Sequence, residues 1–453
     1  MAEAKYPWKD KFGDYALVPV PPGERRSMMS CFLIFTGVLA CIAAIMGGGA
    51  LGTMFNFRDL IIVSVVGCAI LAVIGGLTAG IGAISGCSTY VNMRFPYGRI
   101  GAWIFGTIIA GISCGIGWFA VQTWFFGIFV NAIAPKIFLS EIWVAAIWGG
   151  FFMILTAVIG YRGLAVLSYL TVPMFMLLAG IGFMVAIGES AGGFSGLLEI
   201  APSNPASFVA GVTAVVGMYI AGATITQDMT RYTAKPRDGA IAWIVQVMIL
   251  MPYLLVGAGA MVLATGEANI AAAMVAIGLG LGAFLLVFFG QWTTNDNNLY
   301  SGALSINTYV PVKKWVLTVT LGIIGIALAV YWGLAAGAGM QPFIDFISTL
   351  GRVLPPIAGG LIADFYVYRW YKGEKLSERY KVKPGMVIPE LNWVGIIAVV
   401  VGAVVGGYLI TWGIPALNAL LLGFVVYLIL AIPCDKAGIP ITIGKHALPE
   451  TGI

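Results

Sequence analysis

Two apolar runs of this chain are each interrupted by a glycine-rich stretch, GGGALG at residues 47–52 and GMYIAGAT at residues 217–224. Glycine destabilises a helix by about 1 kcal/mol relative to alanine, so each stretch is a position where a helix can unwind. The alternative is close packing of helices through small residues, which explains many of the 61 glycines of the chain. Taken alone, neither stretch distinguishes between the two interpretations.

The composition places both stretches in a membrane protein. The chain has 453 residues, of which 60% are hydrophobic and 9% are charged, and its mean hydropathy is +0.97. A soluble globular domain of this size does not have such a composition. We predict twelve membrane spans, and they cover residues 29–54, 59–85, 99–133, 141–160, 163–188, 206–230, 239–264, 271–307, 314–335, 342–367, 392–411 and 414–433.

The two glycine-rich stretches lie in spans 1 and 6, and therefore at corresponding positions of two halves of opposite topology. Discontinuous helices at matching positions are typical of inverted-repeat transporters, whose binding sites lie near the middle of the membrane. We expect an all-α fold with a first repeat at residues 29–188, a second repeat at 206–367, and two additional helices at 392–433. Residues 1–28 and 434–453 would form polar tails.

The basic residues indicate the orientation of the chain. All but three of the 24 lysines and arginines lie in the tails and in the loops on one side of the predicted spans. Arg58 and Lys136 lie on the opposite side, and Arg352 lies within span 10. By the positive-inside rule, we expect a plasma-membrane protein with both termini in the cytoplasm. Since the net charge of +5 arises from these loops, no nucleic-acid partner is expected.

The predicted spans contain no set of residues typical of an enzyme. The six cysteines form no CxxC pair, and the single histidine, His446, lies in the polar tail. Neither a nucleophile–base set nor a cluster of metal ligands is present in any span. The sequence therefore predicts a transporter without a cofactor. A receptor without transport activity is disfavoured because no signalling domain is recognisable.

Polar side chains continue through span 8 in the stretch QWTTNDNNLY at residues 291–300. Such groups are costly in hydrocarbon unless they face a cavity or each other. The hydroxyls of Thr293 and Thr294 suit a small hard cation, and unwound carbonyls of span 1 near Cys41 and Ala44 would complete its coordination. Alternatively, these hydroxyls bond to the carbonyl one turn earlier.

Span 3 contains the stretch GWFAVQTW at residues 117–124, in which Trp118 and Gln122 share one helix face. An indole for stacking and a carboxamide that reads a donor–acceptor edge suit a flat heteroaromatic ligand. Tyr219, in the glycine-rich stretch of span 6, would provide a second aromatic wall. The alternatives are that Trp118 packs between helices and that Tyr219 bonds to exposed backbone.

Two charged residues within the spans have more than one interpretation. Asp296 is a candidate proton carrier, and it could equally orient the asparagine-rich turn or pair with a basic residue. Arg352 pairs with Asp345 or snorkels from its helix in one interpretation, and takes part in gating in the other.

At these positions the chain resembles the nucleobase:cation symporter-1 family, and within it the bacterial cytosine permeases. The resemblance is carried by WTTNDN at 292–297, GGALG at 48–52, GWF at 117–119, AGAT at 221–224 followed by Asp228 and by RY at 231–232, PP at 355–356 and IAD at 362–364. It implies the leucine-transporter type of fold, with five-plus-five inverted repeats and broken helices 1 and 6. It also implies Na⁺-coupled uptake of a nucleobase or a related ring.

The resemblance also implies roles for individual residues. Trp118 and Tyr219 would sandwich the ring, and Asn295 would bond to its edge, with Asn298 in the same substrate site. The Na⁺ site would consist of the carbonyl oxygens of Cys41, Ala44 and Gly290 and the hydroxyls of Thr293 and Thr294.

Some positions depart from the cytosine-permease pattern. Gly115 replaces a glutamine three residues before the tryptophan, whereas Gln122 matches the pattern of hydantoin and allantoin transporters. Met218 and Ala221 replace two serines of the expected substrate pocket. We expect a monomeric symporter that imports cytosine or a closely related nucleobase with Na⁺. The alternatives are a purine, hydantoin or allantoin substrate, or H⁺ coupling through Asp296.

Overall fold

The computed structural model describes Tyr15 and residues 17–159, 162–267, 270–307, 309–310 and 312–448. The side chains of residues 159–172, 281–291 and 293 lie outside this description. Each predicted span overlaps a helix or a pair of helices; among the described residues, seven helices, or up to nine if each bent pair is one span, are long and apolar enough to cross a membrane. The helices that the predicted spans overlap are Met28–Leu39 with Ile42–Met54 (span 1), Phe57–Ser85, Arg94–Ile133, Ile142–Ile159, Arg162–Glu189, Phe208–Thr224 (span 6), Pro236–Thr265, Gly280–Asn307, Lys314–Ala335, Gln341–Tyr371, Trp393–Leu409 and Pro415–Lys436 (span 12).

Shorter helices connect several spans. They are Pro22–Glu24, Thr89–Asn92, Phe138–Ser140, Gly193–Glu199, Gln227–Thr230, Ile270–Ala276 and Leu376–Glu378. Polar residues cap the first turns of the longer helices, as at Asn56, whose Oδ1 accepts a hydrogen bond from the Asp59 amide at 2.9 Å. Proline begins spans 7 and 12, at Pro236 and Pro415, where its missing N–H has no cost.

Span 1 is broken at Ala40 and Cys41, and not within the GGGALG stretch as the sequence predicted. Cys41 has extended backbone angles, and the helices on its two sides differ in direction by 57°. The glycines instead lie inside the second helix, where they allow close contact with span 7. A Cβ on Gly48 would lie 2.5 Å from the Leu255 carbonyl oxygen, and one on Gly52 would collide with Gly259. Close helix packing therefore explains this stretch.

The GMYIAGAT stretch of span 6 is also helical, and the break follows it at Ile225 and Thr226. The freed carbonyl of Ala223 accepts a hydrogen bond from the Thr78 hydroxyl of span 2 at 2.5 Å. The Thr78 and Thr226 hydroxyls lie 2.8 Å apart. The span continues as Gln227–Thr230 without the strong bend of span 1, and the Thr78 hydroxyl supplies the donor for the open carbonyl, which the sequence of span 6 alone could not indicate.

Span 8 begins later than predicted. Residues 271–307 form two helices, Ile270–Ala276 and Gly280–Asn307, that are separated by a turn in which Gly278 has a φ of 78°. This left-handed conformation favours glycine and ends the first helix.

Both ends of the described chain lie on one face of the molecule, because Leu17 and Leu448 belong to the same apolar cluster. We call this the terminal face. Two strands on it form an antiparallel sheet, β1 (Val387–Asn392) and β2 (Thr442–Ala447), with Val387 opposite Ala447 and Asn392 opposite Thr442. The segment predicted as a polar tail is therefore partly a strand.

Candidate substrate and ion sites

Trp118 of span 3 lies at the end of a wide helical stretch, Thr107–Trp118, whose turns are of the π type. Its side chain is buried and meets the edges of two aromatic rings of span 10. The ring centroids are 5.3 Å from Phe346 and 6.2 Å from Phe343, with interplanar angles of 79° and 70°. Such π-type turns often occur at functional sites in helices.

Gln122 lies one turn after Trp118 and is 1% exposed. Its helix, Phe119–Ile133, packs against the second helix of span 1, Ile42–Met54. The structure therefore brings the part of span 3 that carries the candidate carboxamide next to the helix that follows Cys41, a predicted ion ligand.

Tyr219 of span 6 stacks on Trp243 of span 7, with ring centroids 5.0 Å apart and an interplanar angle of 25°. Trp243 is fully buried, and its indole N–H donates to the Leu71 carbonyl at 2.9 Å. The position of Tyr219 is thus fixed by a tryptophan that the sequence analysis did not identify. Only the packing of span 7 against spans 2 and 6 brings Trp243 to Tyr219, and the sequence gives no sign of that packing.

Met218 and Ala221 are both buried on span 6 beside Tyr219. The Met218 sulfur packs against Gly47 of span 1, since a Cβ on Gly47 would lie 2.6 Å from it. The Ala221 carbonyl accepts a bond from the Ile225 amide at 3.1 Å, in the last turn before the break. The side chains of Met218 and Ala221 therefore contribute apolar surface to the candidate substrate site and offer no hydroxyl for a hydrogen bond.

Asn295 of span 8 is completely buried and faces spans 3 and 4. Its Nδ2 lies 3.3 Å from the Phe119 carbonyl oxygen, 3.2 Å from Thr123 Oγ1 and 3.1 Å from Met153 Sδ. Its Oδ1 accepts a hydrogen bond from Asn298 Nδ2 at 3.3 Å. Thr123 and Met153 were missed as neighbours of this site, although Thr123 follows Gln122 directly in the sequence.

Asp296 points to span 4, where Thr156 donates a hydrogen bond to its Oδ1 at 2.9 Å. The carboxylate is 2% exposed. Within the described part of the chain, its Oδ2 has no hydrogen-bond partner.

Three of the five predicted ion ligands are described in full. Cys41, Ala44 and Thr294 are each 8% exposed, and the Cys41 carbonyl is 3.2 Å from the Ala44 amide nitrogen. Gly290 and the Thr293 side chain lie outside the described residues. Carbonyl and hydroxyl oxygens at a helix break suit a hard monovalent cation that must be released again.

Arg352 does not pair with Asp345, which corrects one of the two predictions for this arginine. Asp345 accepts a hydrogen bond from Gln341 at 2.8 Å, whereas the Arg352 guanidinium lies 5.1 Å from the ring centroid of Tyr408 in span 11. Arg352 and Asp345 are seven positions apart on one helix, and the ring of Tyr408 provides an aromatic face for the cation.

A groove of about 580 Å³ lies between the ends of spans 9 and 10 that are remote from the terminal face. Its lining includes Trp332, Asp345, Phe346 and Thr349. Phe346 both lines the groove and contacts Trp118, so its ring links the groove to the span-3 tryptophan.

The fold and these sites together define a class: a multi-pass membrane transporter with broken helices, and not an enzyme. The family model described as "permease for cytosine/purines, uracil, thiamine, allantoin" matches residues 19–430. The chain belongs to this family, as its resemblance to nucleobase:cation symporters predicted.

Relatives agree with this assignment. The chain is 29% identical over 412 residues to the cytosine permease of Escherichia coli K12, which covers 91% of this chain and 93% of the relative. It is 23% identical over 367 residues to the hydantoin permease of Microbacterium maritypicum, covering 76% and 73%. The structure is similar to Mhp1, a nucleobase-cation-symport-1 transporter solved with bromovinylhydantoin bound, with a TM-score of 0.72, 18% identity and coverage of 94% and 97%. The predicted inverted-repeat fold of the leucine-transporter type is confirmed.

Proposed function

We propose that this protein imports cytosine or a closely related nucleobase together with Na⁺, as a monomer in the plasma membrane with both termini in the cytoplasm. The observation that carries the proposal is the buried pair of Trp118 and Gln122, one turn apart on span 3, which offers an aromatic wall and a carboxamide to a flat ring. The family assignment and the similarity to a cytosine permease support the same substrate class.

In this proposal, the ring of the substrate binds between Trp118 and Tyr219. Trp243 holds Tyr219 in place, because the two rings are stacked and the indole is anchored to the backbone of span 2. Gln122 and Asn295 read the edge of the ring. Asn295 exchanges one of its bonds to span 3 for a bond to the substrate, so that binding draws spans 3 and 8 onto the ring.

Na⁺ binds to the carbonyl oxygens of Cys41, Ala44 and Gly290 and to the hydroxyls of Thr293 and Thr294. Because all five ligands are neutral, the ion is held reversibly. Na⁺ favours the outward-open state by binding it more tightly, and the substrate then favours occlusion and inward opening. Replacement of both threonines by alanine is expected to abolish Na⁺-dependent uptake, and unchanged Na⁺ dependence would refute this ion site.

The second candidate is the same transport cycle with a hydantoin, allantoin or purine substrate. It is favoured by a close crossing of spans 3 and 8, where a Cβ on Gly115 would lie 3.2 Å from Gly302 Cα and 3.0 Å from Leu321. A glutamine at position 115 has no room in this crossing, so reading of the ring falls to Gln122. Met218 and Ala221 likewise offer no hydroxyl to a cytosine.

A further alternative is H⁺ coupling through Asp296. It is favoured by the carboxylate oxygen Oδ2, which has no hydrogen-bond partner in the part of the chain that the structure describes. Uptake that persists without Na⁺ and collapses with a protonophore would establish this alternative.

The test is uptake of radiolabelled cytosine by proteoliposomes, with and without an inward Na⁺ gradient. Excess unlabelled adenine, hypoxanthine, uracil, allantoin and benzyl-hydantoin serve as competitors. We expect Na⁺ to stimulate cytosine uptake and the other rings to compete weakly. If cytosine is not taken up and another ring binds, that ring is assigned as the substrate. The ion site is tested separately by the threonine variants.

A further inference from the structure

The groove between spans 9 and 10 has no role in the proposed function, although it is large enough for a small molecule. Its volume is about 580 Å³, which lies within the usual range of small-molecule sites. Three aromatic side chains, Tyr331, Trp332 and Phe346, line it together with one carboxylate, Asp345. The groove therefore combines apolar faces with a negative charge.

The aromatic wall of the groove is supported from behind by span 3. The ring centroid of Trp332 is 5.7 Å from that of Trp124 and 6.4 Å from that of Phe346. Trp124 is completely buried, and its indole N–H donates to the Gly337 carbonyl at 2.8 Å, in the connection between spans 9 and 10. Because this wall is in place before a ligand binds, binding requires little additional ordering.

Asp345 gives the groove a negative charge that no cation of the protein balances. Its Oδ1 accepts a hydrogen bond from the neutral Gln341 side chain at 2.8 Å. None of the ion pairs among the described residues includes Asp345, and the described lining contains no lysine, arginine or histidine. Arg352, on the same helix, contacts the ring of Tyr408 instead. A cation that enters the groove is therefore attracted to Asp345 and displaces no charged partner.

Ammonium groups that carry carbon substituents fit this combination. They pair with a carboxylate through their charge, and they contact the faces of tryptophan and tyrosine by cation–π interactions. A divalent metal ion takes about six oxygen ligands, whereas this lining has a single carboxylate. A phospholipid headgroup carries a phosphate, for which the described lining has no basic side chain.

We propose that this groove binds a dissolved organic ammonium ion that carries an apolar substituent. Asp345 pairs with the positive charge, Tyr331 and Trp332 contact the groups around the nitrogen, and the apolar substituent lies along Phe346. The inference goes beyond the proposed function, because it requires neither Na⁺ nor a planar ring as a ligand. Either can therefore fail without the other.

The experiment is isothermal titration calorimetry of the purified protein in detergent with three ligands. Benzyltrimethylammonium chloride carries the charge and an apolar ring, benzyl alcohol is the neutral control, and phosphocholine carries the same charged group next to a phosphate. We expect benzyltrimethylammonium to bind about threefold more tightly than the other two, or better, because an ion pair and a cation–π contact act together. Its affinity should fall as NaCl is added, since partly exposed charges are screened.

Three variants test the residues. Asp345→Asn keeps the shape of the side chain and an acceptor for Gln341, and without the charge the dissociation constant for benzyltrimethylammonium should rise about two- to fivefold. Tyr331→Leu removes one ring whose side chain is 63% exposed, so the core stays intact, and a similar rise of about two- to fivefold is expected. Asp59→Asn is the matched control, because it removes another exposed carboxylate, at the beginning of span 2 on the same side of the molecule, and should leave the constant unchanged.

The inference is overturned if Asp345→Asn binds benzyltrimethylammonium as tightly as wild type, or if Asp59→Asn weakens binding equally, since the effect would then arise from the general surface charge. Phosphocholine binding as tight as that of benzyltrimethylammonium would also overturn it and would favour a lipid headgroup. If Asp345→Asn does not fold, benzyl alcohol decides the question with the wild type. Equal affinities for the neutral and the charged ligand would show that the charge is not recognised.

Discussion

In the part of the chain that the structure describes, two carboxylates are almost completely buried, and their surroundings differ. Asp364, in span 10 near the terminal face, accepts hydrogen bonds from Tyr380 at 2.6 Å, Tyr427 at 2.7 Å and Arg369 at 3.2 Å. Asp296, in span 8, accepts one bond, from Thr156 at 2.9 Å. Since a buried charge is stable only when it is paired and hydrogen-bonded, the first carboxylate is built to hold structure and the second is not.

The surroundings of Asp364 also keep its partners in one protonation state. Tyr380 lies in the segment after span 10, and burial beside the Asp364 carboxylate raises the pKa of its phenol well above the ordinary value. The phenol therefore remains a donor through the alkaline range. Arg369 extends the cluster by a second ion pair, to Glu374 at 2.8 Å. We call these residues the Asp364 cluster.

The largest effect on stability is expected from Asp364→Ala. The substitution removes the acceptor of three donors and leaves the Arg369 guanidinium with one carboxylate fewer, which typically costs about 3–5 kcal/mol. Thermal unfolding of the purified protein in detergent would measure the loss. An unfolding midpoint equal to that of wild type would contradict the structural role of the Asp364 cluster.

Trp118→Ala is expected to have the largest effect on binding, and it should also lower stability because the indole is buried against Phe343 and Phe346. Stacking of a base on an aromatic side chain contributes about 1–3 kcal/mol, so the dissociation constant for the substrate should rise roughly 5- to 150-fold. Trp118→Phe, which keeps an aromatic face, serves as the control. Equal affinity of the alanine variant and wild type would show that the ring binds elsewhere.

Tyr427→Phe tests how much a single donor contributes to the Asp364 cluster. The variant keeps the ring and removes the hydrogen bond to Asp364 at 2.7 Å and the longer one from Asn392 Nδ2 at 3.4 Å, so we expect a loss of about 1 kcal/mol in the free energy of unfolding. Combined with Asp364→Ala, it should have little additional effect, because the shorter of its two bonds is already absent. Additive losses would mean that the phenol stabilises the protein in another way.

Asp296→Asn is expected to have the smallest effect of the four. The amide carbonyl still accepts the Thr156 hydrogen bond, so stability should change by less than about 1 kcal/mol. Na⁺-stimulated uptake should remain if Na⁺ is the coupling ion. Loss of uptake by a correctly folded variant would instead support the proton-coupled alternative and would assign Asp296 to function.

The apolar runs were sufficient to predict the helices and the placement of both termini on one face. They did not locate the breaks, because glycine permits unwinding and close packing equally. At Gly48 the choice depends on the Leu255 backbone of another span, and at Thr226 on the Thr78 hydroxyl. In each case, a residue far away in sequence determines the local conformation.

The candidate sites show the same limit. The polar residues Gln122, Asn295 and Asp296 could be selected from the sequence, since each is costly within an apolar span. Trp243 and Thr156 could not, because only the packing of helices brings them to Tyr219 and Asp296. The predicted pairing of Arg352 with Asp345 was wrong for the converse reason, because packing of span 11 places the ring of Tyr408 against the guanidinium.

The small sheet on the terminal face determines which helices are held at a fixed position relative to one another. Strand β1 is tied to the beginning of span 3 by the 2.8 Å ion pair between Arg99 and Glu390 and by the close approach of Gly98 to Leu391. Strand β2 follows span 12, so the sheet fastens spans 11 and 12 to span 3. A pair of spin labels on β2 and on span 3 should therefore keep one distance throughout the transport cycle. The constant distance between these two labels would serve as the reference for measuring the movement of spans 1 and 6.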